Sequence, residues 1–569
     1  MRKPAFALSV AYRFRLRARR FGGQVGAAGL VLSIAAACTT QAENSPYFGK
    51  TVPPEGQHMR YISGSEPESL DPQVSSGQPE ARLMLGLYDG LTEYHPETAQ
   101  PIPALAERWE PNADNSEFTF YLRDAKWSNG DPITAHDFVY SLRRGLAPEF
   151  AARTAYLAYY IKGAQAYNEG KGKADDVGVT AVDDRTVKFT LAQPVPFFPG
   201  LVAHQFFRPV PRKAIEAYGQ AWTQPEHIVT SGAFTLKTWK PYNKLIYVRN
   251  PQYWDAANVR LESITFYPVE DATTMMNLYK AGEVDALYNH IPPAAWIDHL
   301  RRTVDLMDKP ECAIDYYMLN TTKAPMNDVR VRKAFNMSID KVGLAAYERT
   351  IKPLTAFSPE GIFPGYPQPV GDPFDPIRAK GLLAEAGYRD ANGNYDPAKF
   401  PISEVELTYN TAERNRHIAE YVQSQWKQNL GLTVPLKNME WKTFLDYRAK
   451  LEYKGVARTG WVGDYMDPYT FLDLFSTKTG DNGTGWSPPE FVAAIREANS
   501  AQDPKRRYEL LAKAEKMLLD AQPVIPLATS STNWMKKPYV KGMYPNPVTM
   551  HAWKFVYIEH DSAKWPAQP

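Results

Sequence analysis

Cysteine is nearly absent: Cys38 and Cys312 are the only two in 569 residues, so no disulfide framework can hold the chain and its apolar cores must do so. A lone Cys312 without a surrounding motif reads as a small buried hydrophobe. The ten histidines make no HExxH or comparable ligand spacing; His290 and His299 stand nine apart with apolar residues between. No GxGxxG, GxxxxGK[ST] or GxSxG occurs, which removes the signatures of dinucleotide, P-loop and serine-hydrolase chemistry. The acid pairs Asp175/Asp176 and Asp183/Asp184 have no histidine beside them and read as solvated loop charges. DANGNYD (390–396) fails as a calcium loop, because its Gly stands at the fourth place and Pro401 occupies the twelfth; it reads as a polar turn. No catalytic residue, metal or cofactor is therefore expected. There is also no internal repeat, and no low-complexity segment after residue 37.

At 44% hydrophobic and 22% charged residues the chain is too polar for a membrane bundle and long enough for two to four domains. Its formal charge of +2 hides an asymmetry: Arg2, Lys3, Arg13, Arg15, Arg17, Arg19 and Arg20 precede any acid. Without residues 1–37 the formal charge is −5, seven positive charges fewer, so the body carries no general nucleic-acid footprint. Gly22 to Ala37 is a weakly apolar run, too short to span a bilayer, and the whole has the layout of a secretory signal over residues 1–37. Ala35-Ala36-Ala37 fits simple cleavage. Cys38 after small residues fits a lipoprotein box, with Ala35 where Leu is usual, and both processing routes stay open.

From about Gly49, short β-rich runs alternate with helical patterns, which argues for α/β domains with mixed sheets. In EFTFYLR (117–123), Phe118, Phe120 and Leu122 alternate with polar residues as in a half-buried strand. TAHDFVYSLRR (134–144) opens on a capping threonine and continues at helical spacing. DATTMMNLYKAGEVDAL (271–287) reads as a capped helix, a Gly282 stop and a buried strand. Residues 416–448 read as helix, Gly431 turn, strand and helix. The 47 prolines are spread through the connections.

Several blocks in order, SEPESLDP (65–72), LYDGL (87–91), PALAERWE (103–110), FYLRDAKWSNGDPITAHDFVYSLRR (120–144), SGAFTLKTW (231–239), AGEVDAL (281–287), NDVRVRKAFNMSID (327–340) and RTGWVGDYMDPYTF (458–471), resemble the extracytoplasmic solute-binding proteins of bacterial peptide ABC transporters, family 5, and most of all their oligopeptide-binding branch. The resemblance implies a two-lobed, three-domain periplasmic-binding-protein fold of α/β class. Residues 44–88, 212–311 and 535–569 would form the core domain of lobe 1, residues 89–211 a domain inserted in it, and residues 312–534 lobe 2. Hinge crossings would lie near Cys312 and Met535. It further implies an exported monomer in the periplasm or cell envelope that meets the membrane only through a lipid at Cys38, and whose partners are a peptide ligand and ABC permease subunits.

A carrier of peptides of many sequences must bind their backbone as an added strand and anchor the charged termini. RTGWVGD suits this, since Gly460 and Gly463 let a second backbone approach. If extended, it places Arg458, Gly460, Val462 and Asp464 on one face, with the two charges about 20 Å apart at roughly 3.3 Å per residue. The resemblance implies that Asp464 anchors the ligand's ammonium, and Arg458 is the candidate for its carboxylate, the alternative being a pair with a nearby acid. Trp461 is core or pocket wall; Asn289, Tyr316, Tyr317 and Trp441 are candidates for the cleft. Three departures stand out. Val462 replaces a cysteine that in the oligopeptide branch bridges to one near the first hinge, so Cys312 is expected to be a free thiol. Ser75-Ser76-Gly77 replaces an acid, and Asn415, with His417 two residues on, stands where a carboxylate-binding histidine is found. Murein peptides or non-peptide solutes are the alternative ligands within this architecture; a peptide hydrolase and a purely structural lipoprotein are the readings outside it.

Overall fold

The computed structural model describes residues 45–75, 78–288, 292–439, 441–478 and 482–566, with the backbone alone at 294, 295, 413, 441 and 442. Residues 1–37, Cys38 and Asn289 lie outside the described residues, and so does the side chain of Trp441. Tyr47–Pro569 forms one compact unit.

Strand β1 (His58–Ile62) leads through the helix Gln78–Leu87 into a four-stranded antiparallel sheet. Its strands are β2 (Ala106–Pro111), β3 (Glu117–Leu122), β4 (Val179–Asp183) and β5 (Thr186–Thr190), in the order β2-β3-β5-β4. Every second residue of β3 is buried, so Phe118, Phe120 and Leu122 enter one core, each worth about 1.5–3 kcal/mol of apolar transfer. The helix Ala135–Leu146 begins at Thr134, whose backbone N–H donates to the Asp137 carboxylate at 2.7 Å, the reciprocal half of a capping box.

The chain then returns to β1. Strands β6 (Phe234–Lys240), β7 (Lys244–Arg249), β8 (Ser263–Tyr267) and β9 (Ala286–Leu287) complete a mixed sheet ordered β9-β1-β8-β7-β6, with β1 parallel to both neighbours. Between β8 and β9 the helix Ala272–Ala281 starts on Asp271 and stops at Gly282, whose φ of 77° is left-handed. A six-stranded mixed sheet follows: β10 (Pro310–Leu319), β11 (Ile351–Pro353), β12 (Glu406–Asn410), β13 (Leu436–Met439), β14 (Gly455–Val462) and β15 (Val524–Ser531), ordered β11-β15-β10-β14-β12-β13. The last segment rejoins the first sheet, where Trp553 meets Tyr61 and Phe266 edge to face, with ring centroids 4.9 and 5.2 Å apart.

The polypeptide thus passes between the first and third sheets twice, and the two passages are zipped together. Leu306 pairs with Met535 and Met307 with Trp534 in antiparallel register. The Thr532 N–H donates to the Lys309 carbonyl at 2.8 Å, and the Lys309 N–H donates to the Thr532 hydroxyl at 3.0 Å. Among the described residues no helix is long and apolar enough to cross a membrane.

Candidate functional site

β14 carries the motif. It runs antiparallel to β10 with Asp315 opposite Gly460 and Tyr317 opposite Arg458. On its other side it pairs with β12 only over Gly455–Ala457. Among the described residues, no strand of the sheet pairs with 458–462 on that side. The Asn320 N–H donates to the Gly455 carbonyl at 2.9 Å and the Gly463 N–H to the Cys312 carbonyl at 2.7 Å, which turns the backbone groups of odd-numbered residues toward β10. The alternation of an antiparallel ladder then aims those of Arg458, Gly460 and Val462 at the open edge.

Arg458 does not stand alone. Its Nη2 lies 3.1 Å from Asp315 Oδ1, while Asp315 Oδ2 takes Arg414 Nη2 at 2.7 Å. Glu348 is 3.7 Å from Arg414 Nε, and burial pushes its carboxyl up while Arg414 pulls it down. At the other end, Asp464 Oδ1 accepts a hydrogen bond from the Tyr156 hydroxyl at 3.2 Å, and Tyr156 comes from the segment that carries the four-stranded sheet. The Asp464 N–H and Trp461 Nε1–H both donate to Thr470 Oγ1, at 3.2 and 3.3 Å, which sets the turn that presents the carboxylate. The neighbouring Asp467 differs: it is buried and forms a two-pronged pair with Arg507 at 2.6 and 2.9 Å.

The other expected residues divide. Val462 is exposed and Trp461 half-buried against the core, whereas Tyr316 is buried, edge to face with Phe357 at 4.9 Å. Tyr317, 1% exposed, also belongs to a core. The glycines answer to internal neighbours. A Cβ on Gly463 would lie 2.6 Å from Cys312 Sγ, and one on Gly460 3.1 Å from the Ile314 carbonyl and 3.4 Å from Asp315 Oδ1. Cys312 is a buried free thiol whose pKa burial pushes up. Tyr156, Asp315, Arg414 and Thr470 are the residues that motif reading passes over. Only Asp315 left a sequence signal, a lone acid inside the apolar strand AIDYYML.

Two sheet-centred lobes joined by paired crossings, with an open strand edge between charged ends, define an α/β binding protein. The chain belongs to the bacterial extracellular solute-binding proteins, family 5, whose model matches residues 100–483. It is 36% identical over 535 residues to the periplasmic oligopeptide-binding protein OppA of Salmonella typhimurium, covering 91% of this chain and 94% of that one. Among solved structures it resembles the periplasmic murein tripeptide-binding protein MppA in an unliganded open form (TM-score 0.79, 34% identity, 89% of this chain and 98% of that one). It also resembles Haemophilus influenzae OppA in complex with the peptide RPPGFSPFR (TM-score 0.67, 33% identity, 89% and 99%).

Proposed function

We propose that this chain is an extracytoplasmic receptor that captures oligopeptides by their backbone and termini, closes around them by rotation about the crossings at 306–309 and 532–535, and delivers them to an ABC importer. The open edge at 458–462 carries this reading, because it offers the N–H and C=O groups of Arg458, Gly460 and Val462 to an added strand, whatever the ligand's side chains. Asp464 receives the ligand ammonium, with the Tyr156 hydroxyl holding one carboxylate oxygen in place. Arg458 receives the carboxylate in competition with Asp315. Gly460 and Val462 line the groove with Trp461 packed beside them, and Asn289 and Trp441 are further candidates for ligand contact. Tyr316 is left out, since its ring is sealed in the core. The chain acts as a monomer, tethered by lipid at Cys38 or released by cleavage after Ala37. The similarity to a murein tripeptide-binding protein favours murein peptides as a second ligand class.

Native mass spectrometry of the protein purified without denaturation tests the reading. A ladder of co-purified peptides a few residues long is expected. A single fixed non-peptide mass would overturn the oligopeptide claim, and a single murein-peptide mass would move it to the second class.

A further inference from the structure

The zipped crossings form the wall of a cavity of about 410 Å³ that no part of the peptide site explains. Leu306, Met307 and Pro538 give it stiff sides, and Arg301, Lys309, Lys536 and Lys541 line it. Asp308 is the single carboxylate among its described lining residues and is already 3.2 Å from the Lys352 ammonium. Four cations against one acid leave a formal surplus of three positive charges, in a concave place where such a surplus focuses its field.

The amines are held by the backbone. Lys536 Nζ donates to the carbonyls of Met543 at 2.6 Å and Val540 at 3.1 Å, and Lys541 Nζ to that of Lys564 at 2.9 Å, while an Arg301 guanidinium N–H donates to the Arg349 carbonyl. Each group keeps further N–H donors beyond these bonds. Burial, with the charge of Lys541, holds the Lys536 ammonium down at about 8, and burial also lowers Lys541. Glu559 offsets part of the effect at Lys541, and an anion in the cavity would favour the charged form of both amines.

We infer that the cavity behind the crossings is a phosphoryl-anion site, with Lys309, Lys536, Lys541 and Arg301 as donors. The surplus of three charges matches a di- or polyanion better than a single carboxylate, and a phosphoryl group carries about −1.5 to −2 near pH 7 with three acceptor oxygens. The volume admits a phosphorylated small molecule or a phospholipid headgroup. Because two walls are the crossing strands, an anion there bears on the very geometry that lobe rotation has to change.

The test uses the full chain at matched ionic strength, titrated with inorganic pyrophosphate and followed by calorimetry and thermal shift. Binding near or below about 1 mM is expected. The double variant Lys309→Gln/Lys541→Gln, with an unchanged melting temperature in the absence of anion, should weaken it about tenfold. The control Lys213→Gln, whose lysine pairs with Asp131 at 3.0 Å elsewhere on the surface, should leave it unaltered. A parallel sedimentation arm uses phosphatidylglycerol and phosphatidylcholine vesicles with protein lacking residues 1–44. Variant-sensitive binding to phosphatidylglycerol assigns a lipid headgroup, and pyrophosphate binding alone assigns a soluble phosphoryl compound. Absence of both, or equal losses in the double variant and the control, overturns the inference.

Discussion

Asp315 joins two guanidiniums at once, Arg458 through Oδ1 at 3.1 Å and Arg414 through Oδ2 at 2.7 Å, although 143 and 99 residues separate them along the chain. Arg414 also has Glu348 at 3.7 Å, whereas Asp315 is the acid that Arg458 pairs with, so a ligand carboxylate at Arg458 competes with Asp315.

Replacing Asp315 by Asn keeps the shape and removes the competitor. Calorimetry should then show peptides with a free carboxylate gaining about tenfold over their C-terminal amides, and Arg458→Gln should erase the preference. Stability should fall by about 1–3 kcal/mol, less than for a sealed pair, since the Arg458 and Arg414 side chains are 24% and 30% exposed. An unchanged amide-to-acid ratio in both variants would remove Arg458 from the carboxylate site.

Asp464→Ala should weaken binding of free-amine peptides about ten- to hundredfold, the worth of a hydrogen bond to a charged group, and affect N-acetylated peptides far less. Its melting temperature should barely move, because the Asp464–Tyr156 contact lies in an exposed position. Equal losses for both peptide types would refute the ammonium role.

Asp467, three residues on, should behave in the opposite way. Its pair with Arg507 is buried, so Asp467→Ala strands a guanidinium in the core and should cost about 3–5 kcal/mol in denaturant unfolding. Asp467→Ala/Arg507→Ala should cost less than the sum of the single changes, since the stranded charge is then gone. Strict additivity would show that the two side chains do not act as a pair.

His551 is sealed beneath Trp534, 4.7 Å between ring centroids, with Nε2 2.9 Å from the Tyr544 carbonyl, and burial lowers its pKa from 6.5 to about 3. Between those values the unfolded chain binds a proton that the folded chain refuses. The contribution is therefore complete above about pH 6.5 and is lost as pH falls toward 3, at about 1.4 kcal/mol per pH unit. His204, lowered to about 4 by burial, acts in the same direction. Urea midpoints for wild type and His551→Gln, measured from pH 7 down to pH 4, should converge on acidification; a constant gap would mean that the imidazole titrates normally.

Much of the fold was legible locally. The alternation in β3, the Thr134 and Asp271 caps and the Gly282 and Gly431 stops all lie within windows of some twenty residues, where side-chain period and backbone preference act directly. The same holds for Asp464, a carboxylate with no basic neighbour after Arg458 in its own stretch. The missing Cβ atoms of Gly460 and Gly463, read in the sequence as room for a second backbone, also make room for the Ile314 carbonyl and Cys312 Sγ, which only the fold brings there.

What tertiary structure alone decided is how distant segments meet. The edge at 458–462 is open because β12 leaves β14 after Thr408, and Arg458 finds Asp315 because β10 and β14 pair in one register out of many. A shift of a single residue would move every side chain to the other face, so no window of β14 could disclose its partners. Tyr156 reaches Asp464 across 308 residues for the same reason. The sequence by itself determined the elements, the caps and the lone acid; long-range register and packing decided which charges are already matched within the chain and which edge is left for a ligand.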